Sequence, residues 1–171
     1  MKKILAVALC LATPVAFAGT CAVPGTAITV GGTTVTGDSC SGADTGFGGG
    51  ICSGSQVFDP ATPVAIYEVD VGATNSFNII VADTAPFNAA IALIGPGACG
   101  PTAACAAQGN DANAAGGGET LPDGGGNFAT LAAGVYYAAV FSFDSGAAGC
   151  GAYSMTVNPT LPVQLQSFTV G

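Results

Sequence analysis

The sequence predicts an all-β protein, an antiparallel β-sandwich of the jelly-roll-like kind that is stapled by disulfides. Three observations support this prediction. The apolar residues occur in short runs without a sustained helical period. Gly and Pro separate these runs at intervals typical of many short strands. Every cysteine except Cys10 follows residue 18, which leaves an even set suited to an oxidising compartment.

The first 18 residues have the features of a signal peptide. Lys2 and Lys3 are positive, residues 4–11 form an apolar core too short to span a bilayer, and residues 16–18 (Ala-Phe-Ala) fit the small-x-small cleavage pattern. We expect Gly19 to be the first mature residue. No later segment is apolar over a length that would cross a bilayer, so we expect a secreted or cell-surface protein with no transmembrane segment.

Charge narrows the range of functions most. The two basic residues are Lys2 and Lys3, there is no His, and ten Asp and Glu follow the predicted signal peptide. A mature domain without positive side chains cannot neutralise phosphates, which argues against nucleic acid and anionic membranes as partners. It also lacks the base that activates a serine, so the Asp38-Ser39 sequence predicts no protease. We expect no enzymatic activity.

The mature cysteines are expected to form structural disulfides. They are Cys21, Cys40, Cys52, Cys99, Cys105 and Cys150. Sequence alone does not choose among their connectivities. We favour two short loops, Cys40–Cys52 and Cys99–Cys105, which leave the first and last cysteines to pair with each other. A zinc site is disfavoured because the chain has no His and no CxxC pair.

The chain begins with an opening segment of short strands and loops at residues 19–62. Residues 27–30 and 33–36, joined by Gly31-Gly32, predict a hairpin with a two-residue turn. A glycine-rich loop follows at residues 41–50, between two cysteines.

Clear alternation begins with the strand predicted at residues 64–71. Tyr67 and Val69 fall on one face, and Glu68 and Asp70 fall on the other, so one face meets the core and the other meets water. A loop with two glycine triplets is predicted at residues 109–127. Further strands are predicted at residues 77–81, 89–94, 103–107, 134–141 and 153–157.

The last two of these strands are predicted to form an antiparallel pair, with Tyr136 and Tyr153 on their core faces. The reverse face of the strand at residues 134–141 is unusually apolar for a surface exposed to water. It carries Val135, Tyr137, Ala139 and Phe141. This face is either a second buried layer or a contact surface for a protein partner.

Residues 159–171 predict a short rigid linker followed by a C-terminal strand. Val163 and Leu165 share one phase of that strand, whereas Phe168 and Val170 share the other. A straight strand would therefore expose half of them. The strand could pair with the chain's own sheet or be donated to a neighbouring molecule.

Five motifs in fixed order resemble those of bacterial pre-peptidase C-terminal domains, in the cysteine-containing variants of secreted proteins. The resemblance covers roughly residues 63–158, and its most specific part is the aromatic pair after Gly134 with the later Gly-x-Tyr-x-x-x-Val ending. The motifs are Tyr67–Val71, Phe87–Leu93, Asn110-Asp111, Ala133–Val140 and Gly151–Val157.

The resemblance implies a jelly-roll-like sandwich that accompanies secreted enzymes or surface proteins. Its implied roles are secretion, adhesion or ligand binding, without catalysis of its own. Two positions depart from the family's pattern. Asn88 stands where the family often has Asp, and Asn110-Asp111 lies five residues beyond Cys105 rather than directly after the cysteine.

A calcium site is a further candidate. The run from Asp111 to Gly116 matches three positions of an EF-hand loop, but Ala115 and Pro122 occupy two ligand positions and break the set. A looser Ca2+ site stays open against a solvated loop. Its ligands would be Asp111, Asn113, Glu119 and Asp123.

We therefore expect a non-catalytic, secreted structural or adhesive surface protein with a single domain at residues 19–158. The core of that domain spans residues 63–158. Self-association would use residues 159–171, and its candidate contact residues are Val135, Tyr137, Phe141, Val163, Leu165 and Phe168. The alternative is a calcium-assisted accessory module that binds carbohydrate or protein. Trp is absent and three of the four Tyr face the predicted core, which leaves few platforms for a sugar.

Overall fold

A computed structural model describes residues 18–41, 46–57, 61–72, 76–108, 114–128, 131–144 and 149–159. These ranges contain eleven strands and no helix. Residues 1–17 of the predicted signal peptide and the predicted C-terminal strand at residues 163–170 lie outside them. In chain order the strands are β1 (Gly25–Thr29), β2 (Thr33–Asp38), β3 (Gly50–Ile51), β4 (Gln56–Val57), β5 (Ala65–Val71), β6 (Phe77–Asp83), β7 (Ala89–Ile94), β8 (Cys105–Gln108), β9 (Glu119–Leu121), β10 (Gly134–Ser142) and β11 (Ala152–Pro159).

Two sheets form a sandwich, which confirms the predicted fold class. The five-stranded sheet has the order β1-β5-β10-β7-β8, and the four-stranded sheet has the order β2-β11-β6-β9. Strand β1 runs parallel to β5, and the other pairs in both sheets are antiparallel. Strands β3 and β4 form a small hairpin of their own. None of the described residues belongs to a helix with the length and hydropathy needed to cross a membrane.

The main core lies between the two sheets. Tyr67 and Val69 of β5 pack in one cluster with Ile79 of β6 and Val157 of β11, and all four are fully buried. The alternation predicted for residues 64–71 is confirmed, since Asp70 on the reverse face is exposed. Burying one face of each sheet in this way removes apolar surface from water, the dominant favourable term in folding.

A second apolar cluster covers the reverse face of the five-stranded sheet. Ile66 of β5 and Phe141 of β10 pack there against Phe47 and Ile51, which come from the segment 46–57. All six residues of β7 are buried because this strand lies between the two clusters. A strand buried on both faces shows a continuous apolar run instead of alternation.

The hairpin predicted at residues 27–36 is wrong. Strand β1 pairs with β5, whereas β2 pairs with β11 in the opposite sheet. The Gly31-Gly32 turn therefore carries the chain across the sandwich. Ile28 and Val35 are both buried in the main core, which they reach from opposite sheets. A hairpin within one sheet would not place them on facing walls.

The pairing predicted for the last two strands is also wrong. Strand β10 lies between β5 and β7, and β11 lies between β2 and β6. Tyr136 and Tyr153 do face the core, as predicted, but from the two different sheets. Alternation identifies the buried face of a strand and not its neighbour, because both sheets bury a face against the same core.

The predicted loop at residues 109–127 contains a strand that the glycine-rich composition concealed. Residues 119–121 form β9, which pairs with β6 through Ile79 and Leu121. Leu121 is fully buried, which explains why this short run holds an edge position.

All six mature cysteines form disulfides, but in none of the predicted pairs. The bonds are Cys21–Cys99, Cys40–Cys150 and Cys52–Cys105. The sandwich brings distant segments together: residue 40 follows β2 and residue 150 precedes β11, and these two strands are neighbours. Three disulfides in one small domain are typical of proteins outside the cytoplasm.

Gly19, the predicted first mature residue, is fixed to the five-stranded sheet. Its N–H donates to the Ile66 carbonyl at 2.9 Å, and the Ile66 N–H donates to the Gly19 carbonyl at 3.1 Å. A Cβ at position 19 would stand 2.2 Å from the Gly25 nitrogen and from the Val23 oxygen. No residue larger than glycine fits there without moving the backbone.

Candidate functional site

The apolar face predicted on β10 is interior, which corrects its assignment as a contact surface. Phe141 is fully buried, and Tyr137 is half-buried against the second apolar cluster. Val135, at the start of β10, is partly buried. The remaining predicted contact residues lie outside the described residues: Val163, Leu165 and Phe168.

The segment 46–57 covers this face and is fixed in place at its centre. The Cys52–Cys105 disulfide ties it to β8. Next to that bond, the Ser53 hydroxyl donates to the Thr102 carbonyl at 2.9 Å and the Ser53 N–H donates to the Pro101 carbonyl at 3.2 Å. The apolar character of the β10 reverse face therefore serves packing.

The candidate calcium ligands are only partly within the described residues. Glu119 is buried in β9, and Asp123 is exposed in the following turn. Asp111 and Asn113 lie outside the described ranges. Where the structure is described, no three acidic, cysteine or histidine side chains come together as a metal-binding group.

Asp83, at the end of β6, has a structural role. Its two carboxylate oxygens accept the N–H of Ala89 at 2.9 Å and the N–H of Gly118 at 2.8 Å. It thereby holds the start of β7 and the approach to β9 at the end of β6.

The outer face of the four-stranded sheet is the surface whose chemistry stands out, and we call it the threonine face. Thr156 lies between Thr34 and Ile80 in the register, and Ser154 lies between Thr36 and Ala82. Thr34 and Thr156 share a hydrogen bond of 2.8 Å between their hydroxyl groups. Thr120 continues the first row on β9.

The threonine face is almost free of charge. Ile80, near its centre, is 40% exposed. Asp38, at the end of β2, is the one acid that the four strands place on this face; Asp83 and Glu119 follow the inward phase of β6 and β9. The face is therefore neutral over most of its area, in a chain that carries ten acids and no basic side chain after Lys3.

One border of the threonine face is the open edge of β2. No described strand pairs with β2 on its outer side. The Ser39 N–H donates to the Gly151 carbonyl at 3.0 Å, where the β2–β11 ladder ends. Ladder bonds alternate along an antiparallel pair. Odd-numbered residues of β2 therefore bond to β11, and the backbone groups of Thr34 and Thr36 point outward.

Beneath this edge, two buried tyrosines join the two sheets. The Tyr67 and Tyr153 hydroxyls are hydrogen-bonded at 2.8 Å, and their rings meet edge to face at 6.4 Å. Burial raises the pKa of both hydroxyls above the ordinary value for tyrosine, and the neighbouring Tyr67 raises that of Tyr153 further. A Cβ on Gly37 of β2 would stand 2.5 Å from the Tyr67 oxygen, so β2 approaches the pair closely only because glycine lacks a side chain.

No family model matches the sequence, and no curated protein matches it. Eight chains of solved structures match, and two of them illustrate the similarity in fold. One is the pre-peptidase C-terminal domain of a collagenase from Bacillus anthracis, with a TM-score of 0.48 and 20% identity over 78% of this chain and 93% of that chain. The other is PliG from Aeromonas hydrophila, a periplasmic inhibitor of g-type lysozyme, with a TM-score of 0.44 and 17% identity over 79% of this chain and 96% of that chain. The first comes from the family that the motifs in residues 63–158 resemble.

Proposed function

We propose that the protein is an exported, non-catalytic structural or adhesive component of the cell surface that self-associates through residues 159–171. The observation that carries the proposal is the neutral threonine face with its open edge. Like charges oppose close approach, and every charged side chain after Lys3 is negative. Two copies can therefore meet at lowest electrostatic cost where a surface carries almost no charge.

The predicted C-terminal strand has the same neutral character. Residues 159–171 contain no charged side chain and include five large apolar ones, at positions 161, 163, 165, 168 and 170. An extended segment of this kind can add to the edge of a sheet, where main-chain hydrogen bonds supply affinity and side-chain pockets supply specificity. The threonine face and the C-terminal segment are thus chemically compatible.

The charge composition also supports a role without catalysis. Acyl transfer by a serine needs a neighbouring base, and the mature sequence supplies neither imidazole nor side-chain amine. The three disulfides support export, because such bonds persist in oxidising compartments. We include removal of residues 1–18 by signal peptidase in the proposal.

Sedimentation velocity and negative-stain microscopy of the mature protein test self-association. Residues 19–171 should form oligomers, whereas residues 19–158 should stay monomeric with an unchanged melting temperature. Salt should promote assembly, because raising it from about 0.05 M to 0.5 M shortens the screening length from roughly 14 Å to 4 Å. A monodisperse monomer for residues 19–171 under all these conditions would overturn the proposal.

A second candidate function is that of a calcium-assisted accessory module for carbohydrate or protein. It is favoured by the excess of carboxylates in a mature chain that has no basic side chain to neutralise them. A melting temperature that rises with added Ca2+ and falls with chelator would support this function. Equal melting temperatures in both solutions would remove calcium from it.

A further inference from the structure

We propose that the acceptor for the C-terminal segment is the outer edge of β2 in a second copy of the chain. Residues 163–170 of one molecule then extend the four-stranded sheet of the next by one strand. The inference rests on the proposed self-association and names the surface that receives the segment.

Of the four edge strands, β2 offers the longest regular edge. Its six residues pair with β11 without a register shift. Strand β9 has three residues, and both β1 and β8 pair with a shift in register. An edge with continuous outward N–H and C=O groups is a template for another strand. The outward backbone groups of Thr34 and Thr36 supply those positions on β2.

The position of Pro159 argues for a second copy over the same chain. Strand β11 ends beside the turn that opens β2, where a Cβ on Gly32 would stand 4.0 Å from the Pro159 Cδ. The outer side of the same β2 is two strand spacings from β11, about 9.6 Å away. The four Cα–Cα steps from Pro159 to Val163 span about 14 Å at full extension.

A path around the chain that enters β2 is longer than this direct distance, so a linker that folds back would have to be almost fully extended. Any further length would come from the apolar run at residues 163–170, which would shorten the strand it can form. Donation to a neighbouring molecule needs no such crossing, because the linker can then continue away from β11 without passing β2. The geometry therefore favours a strand donated to a second copy over a strand that folds back on the same chain.

Charge is consistent with this site. Asp38 is the one acid on β2, and it lies at the end of the strand, where its carboxylate accepts the Cys40 N–H at 2.9 Å. The other outward side chains of β2 belong to Thr34 and Thr36. An uncharged strand can approach this edge without placing one acid beside another.

Photo-crosslinking in a mixed-isotope assembly tests the acceptor. The photoreactive residue p-benzoylphenylalanine replaces Thr36 in residues 19–171, and a matched control replaces exposed Ala106 on edge strand β8. Unlabelled photoreactive protein is mixed with 15N-labelled wild type, illuminated and digested. We expect links from position 36 to 15N-labelled peptides within residues 160–171, and no such links from position 106.

Other crosslinking patterns overturn the inference. Links from position 36 to unlabelled peptides only would show that the segment folds back on its own sheet. Links to a different part of the chain, or equal links from both positions, would place the acceptor elsewhere.

A proline variant gives an independent test. Thr36→Pro removes an outward N–H that β11 does not use, and we expect it to keep the fold while it weakens association about tenfold or more, because proline blocks the next strand. Assembly that persists in a folded Thr36→Pro variant but is lost on deletion of residues 159–171 would overturn the β2 acceptor and leave the proposed function standing. Absence of assembly in wild-type residues 19–171 would overturn both.

Discussion

Removing one hydroxyl of the buried tyrosine pair should lower the free energy of unfolding, and removing both should bring it back close to the wild-type value. In Tyr153→Phe, the hydroxyl of fully buried Tyr67 loses its partner at 2.8 Å. In Tyr67→Phe, the hydroxyl left behind belongs to Tyr153, which is 5% exposed and lies nearer to water. We expect the first variant to be the less stable of the two.

The magnitude follows from the cost of an unsatisfied buried polar group, about 1–3 kcal/mol. Replacing both partners by apolar groups of the same shape is nearly neutral, because no polar group is then left without a bond. At about 2–4 °C per kcal/mol for a domain of this size, a single variant should lose roughly 2–12 °C in melting temperature. The double variant should melt close to the wild type.

Differential scanning calorimetry of residues 19–171 and of the three variants measures these shifts. The coupling free energy is the double-variant loss minus the sum of the two single losses. We expect it to be about −2 to −6 kcal/mol, since each single variant carries a penalty that the double variant lacks. A coupling near zero, with the double variant losing as much as both singles together, would refute the assignment of a shared bond.

Three further predictions concern the same region. Gly37→Ala should lower the free energy of unfolding, measured in urea, by about 1–3 kcal/mol, because its Cβ would stand 2.5 Å from the Tyr67 hydroxyl. Gly72→Ala is the control, since its Cβ would meet nothing within 4 Å, and it should lower the free energy of unfolding much less. The contribution of the tyrosine pair to stability should be constant up to about pH 10 and fall above it. Above that pH the unfolded tyrosines release their protons, whereas the folded pair, whose pKa values are raised, keeps them. An unchanged melting temperature at pH 11 would contradict this. Replacing Cys40 and Cys150 by Ser opens a loop with a sequence separation of 110. This should lower the free energy of unfolding by about 5 kcal/mol on the chain-entropy model, measured as a loss of melting temperature. Peptide mapping without reductant, with a protease other than trypsin, should first show that these two cysteines are joined.

The strands and their buried faces could be predicted from sequence because alternation is a local property. Tyr67 and Val69 alternate with Glu68 and Asp70, and the structure buries the first two, leaves Glu68 partly buried and exposes Asp70. Partner choice is not local. The Gly31-Gly32 turn suits a hairpin, yet the chain uses it to change sheets, and nothing within residues 27–36 distinguishes the two arrangements.

The disulfides and the second apolar layer show the same limit. Short loops favoured Cys40–Cys52, but the neighbouring positions of β2 and β11 bring Cys40 to Cys150. Phe141 was expected either in a second layer or at a contact surface, and the choice depended on Phe47 and Ile51 reaching it from a segment 90 or more residues earlier. The calcium site stays a prediction, because two of its four candidate ligands, Asp111 and Asn113, lie outside the described ranges.

Gly19 has a chemical consequence. With cleavage after residue 18, its nitrogen becomes an α-amine, with an ordinary pKa of about 8. Lys2 and Lys3 would leave with the predicted signal peptide, so this amine would become the sole basic group of the mature chain. An amine-directed dye would then label each molecule once, beside the Ile66 carbonyl, and trypsin would find no site to cut. The protein would carry a single reactive amine for spectroscopic labelling or immobilisation, at the edge of the five-stranded sheet.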